Sequence, residues 1–156
     1  MQTAVESPNQ ADVIALIAEL DAYQDTLYPA EARYALDLAS LCQPNVRFVV
    51  ARKACGTAVG CGAVVLCDGF AEIKRMYVSP RARAQGVARS IIQALEASAS
   101  RAGYHVLTLE TGPYQSAALA FYAQQGYVRC GPFGIYPEHP LSVFMTKTLA
   151  QSPRIE

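Results

Sequence analysis

One long amphipathic helix set between two strand-like segments constrains this chain more than any other feature. Residues 86–102 place Ala88, Ile91, Ile92, Leu95 and Ala99 on one stripe and Arg89, Gln93, Glu96 and Ser100 off it, and Gly103 ends the run. The segments before and after it, residues 70–78 and 106–111, carry the β-branched and aromatic residues of strands. A strand, a crossover helix and a second strand in succession imply a parallel pair within one sheet. All-α and all-β architectures are thereby excluded.

The remaining segments fit around that unit. Residues 47–52 and 58–66 read as strands, the second apolar nearly throughout and therefore central. With 70–78 they form an antiparallel meander whose second turn is Asp68-Gly69. A helix is expected over 12–20, capped by Asp12, with Val13, Leu16, Ile17 and Leu20 at helical spacing. A weaker Ala/Leu-rich helix is expected over 30–40. A helix over 116–125 stops at Gly126, and strands over 127–130 and 141–148 close the chain. The predicted fold class is α/β with a mixed sheet. Residues 1–149 are expected to form a single domain and 150–156 a flexible polar tail.

Composition removes several function classes. Thirteen Lys+Arg balance thirteen Asp+Glu, so the counter-ion displacement that drives nucleic-acid binding has no surplus cation behind it. No apolar run reaches the roughly 18 residues of a membrane span, and the N-terminus lacks the basic and apolar regions of a signal peptide. Cys42, Cys55, Cys61, Cys67 and Cys130 are odd in number and contain no CxxC pair, which opposes both a disulfide framework and a metal site. Free, mostly buried thiols in a reducing cytoplasm are expected.

Chemistry concentrates where the 70–78 strand gives way to the long helix, at Val78-Ser79-Pro80-Arg81-Ala82-Arg83-Ala84-Gln85-Gly86-Val87-Ala88-Arg89. A helix start offers unpaired N–H groups and the positive end of the dipole, and Gly86 and Ala88 let a phosphate approach the backbone. Arg81, Arg83 and Arg89 add charge. An ordinary strand–helix turn with solvated arginines would look the same. Neither a Gly-Lys-Ser/Thr phosphate loop nor a G-x-G-x-x-G fingerprint is present, so the implied ligand is a phosphate carrier of another kind.

Arg83-Ala84-Gln85-Gly86-Val87-Ala88 resembles the R/Q-x-x-G-x-G/A signature of the GNAT superfamily of N-acetyltransferases. Ala118-Leu119-Ala120-Phe121-Tyr122 through Gly126-Tyr127 resembles that family's fourth-helix motif. The resemblance spans roughly residues 45–149, and several shorter runs are similar to small bacterial members sometimes labelled indole-3-acetic acid acetyltransferases. It implies a GNAT fold with two parallel strands that splay apart and acetyl-CoA as cofactor. The diphosphate would sit on the backbone amides of residues 83–88 with Arg89 also binding the cofactor, the pantetheine arm along Met76, Tyr77 and Val78, and the amide of Met76 would hold the developing oxyanion. Tyr122 would protonate the departing sulfur; a core aromatic beside Phe121 is the plain alternative. Where the family often has Asn, this chain has Gln115, a longer amide.

For a base the resemblance points to Glu72, with Glu110 a rival, and an ion pair to Lys74 or Arg75 is the structural alternative for both. Strand alternation puts Glu72, Lys74 and Met76 on one face and Arg75 on the other, and the rise from Glu72 to Met76, about 13 Å, would route a proton through water. The acceptor side is expected to draw on Tyr23, Tyr28, Glu31, Arg33 and Tyr34, then Phe133, Tyr136, Glu138 and His139. Aromatic rings suit a small acceptor, a carboxylate would attract an ammonium, and Arg33 or Arg75 could pair a carboxylate. The expected activity is acetyl transfer from acetyl-CoA to a primary amine of a small molecule in a ternary complex. A non-catalytic acyl-CoA-binding module and a protein or peptide N-acetyltransferase are the alternatives. A homodimer is compatible with apolar edge strands.

Overall fold

The computed structural model describes residues 1–150, so the expected tail lies, from residue 151 on, outside the described residues. Seven strands form one sheet: β1 (Gln2–Val5), β2 (Val46–Arg52), β3 (Ala58–Leu66), β4 (Ala71–Val78), β5 (Val106–Thr111), β6 (Val128–Cys130) and β7 (Val143–Thr148), in the order β1-β2-β3-β4-β5-β7-β6. Every neighbouring pair is antiparallel except β4–β5, which is parallel, as the crossover required.

The helices cover both faces. On one, α1 (Ala11–Asp25) packs Val13, Leu16 and Leu20 against Phe48, Val50, Cys61 and Ala63. On the other, α3 (Val87–Arg101) lays Val87, Ile91, Ile92, Leu95 and Ala99 over Val49, Val64, Ile73 and Leu107. The same cluster takes in Tyr122 of α4 (Ser116–Gln124). A Cβ on Gly62 would lie 2.7 Å from Met76 Sδ and 2.9 Å from Ile91 Cγ2, so that position must be bare for α3 to seat.

Five local readings need correction. The edge strand β1 carries no sequence signal; it forms because β2 offers a free edge, and Glu6 N–H extends the contact to Phe48 O at 3.0 Å. Residues 30–40 are not one helix. Ala30–Ala32 is a single tight turn after Pro29, and α2 (Leu38–Leu41) is a four-residue helix capped by Asp37, with extended chain between them. There the Tyr34 carbonyl accepts from Lys74 Nζ at 2.6 Å instead of from a helical N–H, so tertiary contact overrides a weak propensity. Asp12 is not the cap of α1; Gln10 holds that position, and Asp12 Oδ2 lies 2.6 Å from Arg52 Nη1. Of the cysteines, all free, Cys42, Cys55 and Cys130 are exposed and only Cys61 is buried, so the thiols are not mostly buried.

The fifth correction matters most for the site. β4 has a bulge opposite Gly62, with Cys61 paired to Tyr77 but Ala63 paired to Lys74. Arg75 absorbs the extra residue at φ +57, a left-handed conformation that a side chain adopts only under constraint. Alternation therefore slips by one. Glu72, Lys74, Arg75 and Tyr77 turn toward the α1 side, whereas Ile73, Met76 and Val78 join the α3 cluster. The predicted division, with Met76 beside Glu72 and Arg75 opposite, is reversed.

Candidate active site

β4 and β5 pair only through Ala71–Leu107, Glu72–Thr108 and Ile73–Leu109. Beyond that last pair the two strands part, and the freed edge of β4 opens into a cleft of two chambers. The larger, about 430 Å³, lies between Met76, Tyr77, Val78, Arg83, Ala84 and Ala88 on one wall and Tyr114 to Ala118 with Phe121 on the other. The smaller, about 110 Å³, is lined by α1, the 33–35 segment, β4, β5 and Tyr136. Leu20, Met76, Gln115, Ala118 and Tyr122 line both, so the chambers meet at these residues.

The larger chamber ends at the loop into α3. Gly86 caps α3 at φ +79 and Ala84 sits at φ +61. Among the described residues no carbonyl accepts from the amides of residues 84–89, so six consecutive N–H groups are free at a helix N-terminus. Arg83 is anchored beside them, its Nε donating to Val78 O at 3.0 Å and its guanidinium 5.7 Å from the centroid of the Tyr77 ring. Gln85, Gly86, Val87 and Arg89 do not line the chamber itself, and Val87 sends its side chain into the core, leaving only its amide for a ligand. This cradle fits the diphosphate of coenzyme A, and the unpaired stretch of β4 fits a peptide-like arm.

Glu72 belongs to a closed network in the smaller chamber. Tyr136 donates its hydroxyl to Glu72 Oε2, Lys74 Nζ donates to Tyr136 Oη at 2.6 Å, and Lys74 Nζ lies 3.4 Å from Glu72 Oε2. Burial and the Glu72 carboxylate push the Tyr136 phenol above its ordinary range. Glu110, on β5 beyond its last pair with β4, differs: its Oε2 is buried without a hydrogen bond. Burial raises its pKa to about 7, Lys74 opposing and Glu72 adding to the shift.

Tyr122 is 8% exposed and meets Phe121 and Tyr127 edge-on, with ring centroids 5.4 and 5.9 Å away. Burial alone raises its pKa above the usual 10, so the phenol is fully protonated at neutral pH. Gln115 folds back, its Oε1 3.3 Å from Thr111 Oγ1 and 3.4 Å from Gly112 N. Tyr28 Oη accepts a hydrogen bond from Tyr114 N–H at 3.0 Å, and the two rings stack 5.4 Å apart.

Of the expected acceptor residues, Tyr28, Arg33, Tyr34, Arg75, Glu110 and Tyr136 are brought together around the smaller chamber. Tyr23 lines the larger one instead. Glu31, Phe133, Glu138 and His139 line neither; Phe133 packs on Phe70 and Phe144, and His139 Nδ1 accepts from Leu141 N–H at 3.0 Å. The sequence reading missed Tyr114, Ser116 and Ala117, which supply the second wall of the larger chamber. Their one signal was their place just ahead of the Ala118–Tyr127 motif.

The sequence profile of the acetyltransferase (GNAT) family matches residues 14–127. A protein of Azospirillum brasilense described as an IAA acetyltransferase is 48% identical over 148 residues, covering 94% of this chain and 96% of that one. An uncharacterised N-acetyltransferase of Bacillus subtilis, YsnE, is 35% identical over 96% of this chain and 100% of its own. Among solved structures, a candidate acyl-CoA N-acyltransferase from Klebsiella pneumoniae superposes with a TM-score of 0.81 at 41% identity, covering 96% of this chain and 97% of that one. An aminoglycoside 6'-N-acetyltransferase crystallised with coenzyme A shares the fold at 15% identity, TM-score 0.75, over 99% of this chain and 100% of its own. The chain belongs to the acetyltransferase (GNAT) family, and it is an acyltransferase whose acyl donor is acetyl-CoA.

Proposed function

We propose that the protein transfers the acetyl group of acetyl-CoA directly to the primary amine of a small acceptor, with both bound at once. The observation that carries this is the meeting of a larger, amide-capped chamber and a smaller one at Tyr122 and Met76. Acetyl-CoA supplies an activated thioester; everything else is positioning and proton movement by this chain.

The amides of residues 84–89 hold the diphosphate, and the free edge of β4 at Met76 to Val78 aligns the pantetheine arm. The Met76 N–H polarises the thioester carbonyl as charge develops on its oxygen. Glu110, unpartnered and poised near neutrality, takes the proton that the amine nitrogen loses as its bond to the acetyl carbon forms. Tyr122 O–H donates to the sulfur as the carbon–sulfur bond breaks. In this scheme Glu72 holds Tyr136 and Lys74 as one wall of the chamber rather than carrying the proton itself. The small volume of that chamber, about 110 Å³, supports a small molecule over a peptide chain as acceptor.

The relative's description as an IAA acetyltransferase supports a small acceptor bearing a carboxylate, although indoleacetate has no primary amine. Free thiols suit a cytoplasmic location, and the short exposed edge strand β6 leaves room for a homodimer. The test is thiol release from acetyl-CoA across a panel of amines. Tyr122→Phe should lower kcat about 100-fold while coenzyme A still binds. Coenzyme A binding with no turnover on any amine would favour a non-catalytic binding module instead.

A further inference from the structure

We propose that the acceptor is an amino acid, its carboxylate held by Arg75 while its amine faces Glu110. This rests on the acetyl-transfer reading above and names the substrate class for that same site.

The charges around the smaller chamber do not cancel internally. Lys74 and Glu72 satisfy each other, with Tyr136 between them. Two groups of opposite sign stand outside that network with hydrogen-bonding capacity unmet among the described residues. One is the Glu110 carboxylate, whose Oε2 makes no hydrogen bond. The other is the Arg75 guanidinium, whose side chain is only 4% exposed. Its Nη1 lies 2.8 Å from Asp21 Oδ1, out of hydrogen-bond alignment, and neither Nη1 nor Nε has a hydrogen-bond partner. A buried guanidinium with free donors is an unfinished site, because its planar fork is built to take both oxygens of a carboxylate. Asp21, on α1 and half-exposed, pairs with the arginine at Nη1 from the solvent side and leaves Nε without a partner among the described residues. Arg33 Nε is likewise buried and unpartnered in the same wall.

Backbone placement points the same way. Only the bulge, with Arg75 held at φ +57, turns this side chain to the α1 side of the sheet. Regular alternation would bury it against α3. Strain of this kind persists where the surroundings require it and is concentrated at ligand sites. Glu110 and Arg75 then stand on the two strands that part just beyond the Ile73–Leu109 pair. A zwitterion laid across that gap would present its ammonium to one strand and its carboxylate to the other. The unmet hydrogen-bonding groups of Glu110 and Arg75 complement both ends of an amino acid and leave one end of a simple amine unmatched.

The experiment compares common L-amino acids with their C-amides and with the corresponding decarboxylated amines, by thiol release from acetyl-CoA. The wild-type enzyme should favour the free acids about 10- to 100-fold in kcat/KM, the gap lying mainly in KM. Arg75→Gln should erase that gap by raising KM for the acids while leaving the amides nearly unchanged, and Arg75→Lys should restore part of it. Equal or better use of amides and amines by the wild type overturns the proposal, as does an unchanged acid-to-amide ratio in Arg75→Gln. Should that variant fail to fold, the wild-type series decides alone, together with calorimetry of acids and amides on the coenzyme A complex, where the acids should bind about 10- to 100-fold more tightly. Turnover of amines without preference defeats the amino-acid class only. Turnover of no amine at all defeats acetyl transfer itself, and the class with it.

Discussion

Gly112 offers a sharp perturbation, because the roof over the two chambers rests on it. A Cβ added there would overlap the hydroxyl and ring of Tyr28. Gly112 has no left-handed conformation to protect, so Gly112→Ala acts through that overlap and not through backbone strain. Tyr28 is 7% exposed and must swing out, breaking its hydrogen bond from Tyr114 N–H and its 5.4 Å stack on the Tyr114 ring. The stack contributes about 0.5–1.5 kcal/mol and the hydrogen bond about the same, so the variant should lose about 1–3 kcal/mol. For a chain of this length, about 2 kcal/mol corresponds to a Tm lower by roughly 4–8 °C. The KM for the acceptor should rise, because Tyr28 walls its chamber, while the affinity for coenzyme A changes less. Scanning calorimetry on Gly112→Ala, Tyr28→Ala and the double variant checks the cause: the glycine substitution should cost almost nothing once Tyr28 is gone. An unchanged Tm in Gly112→Ala, or an equal loss in the Tyr28→Ala background, refutes the steric account. Gly131→Ala, with open space around the added Cβ, is the control.

Glu110→Gln should abolish the acidic limb of the kcat/KM profile, which in the wild type should lie near pH 7; a limb that survives assigns the base elsewhere. The same variant tests linkage. The folded pKa of Glu110 is raised, so the folded state binds the extra proton between about 4.5 and 7 and wild-type stability falls as pH rises through that window. At pH 8 Glu110→Gln should therefore be more stable, by on the order of 2 kcal/mol after allowing for partial exposure, with the difference vanishing below pH 4.5; denaturant melts at both pH values measure it. Gly62→Ala should destabilise the domain by about 1–3 kcal/mol, since its Cβ would press on Met76, Ile91 and Leu95, and a neutral result in urea melts would show that α3 seats differently.

The parallel β4–β5 pair was legible because α3 carries a clean apolar stripe, and a helix between two strands permits few topologies. The free amides of the 84–89 loop were legible because small residues at a helix start have few other uses. The bulge at Arg75 was not. Its cause lies across the sheet, where bare Gly62 faces two residues of β4 instead of one, and no local pattern in 70–78 reports a partner strand's register. That single slip decided which side chains share the acceptor chamber. Residues 33–37 were opaque for a related reason: Lys74, far along the chain, takes the Tyr34 carbonyl that a helix would have used. Both carboxylates were singled out from sequence, but only packing distinguishes Glu72, held by Tyr136 and Lys74, from Glu110, left without a partner.

Calorimetric titration of coenzyme A against pantetheine, in the wild type and in Gly86→Val, tests the central claim most directly, because the two share the arm that lies along β4 and differ in the 3′-phosphoadenosine diphosphate, whose diphosphate is assigned to the amides of residues 84–89. Coenzyme A should bind about 100-fold or more tightly, and Gly86→Val, which forces a β-branched side chain into a φ of +79, should remove most of that advantage. Equal affinity for the two, or an advantage untouched by Gly86→Val, would contradict it.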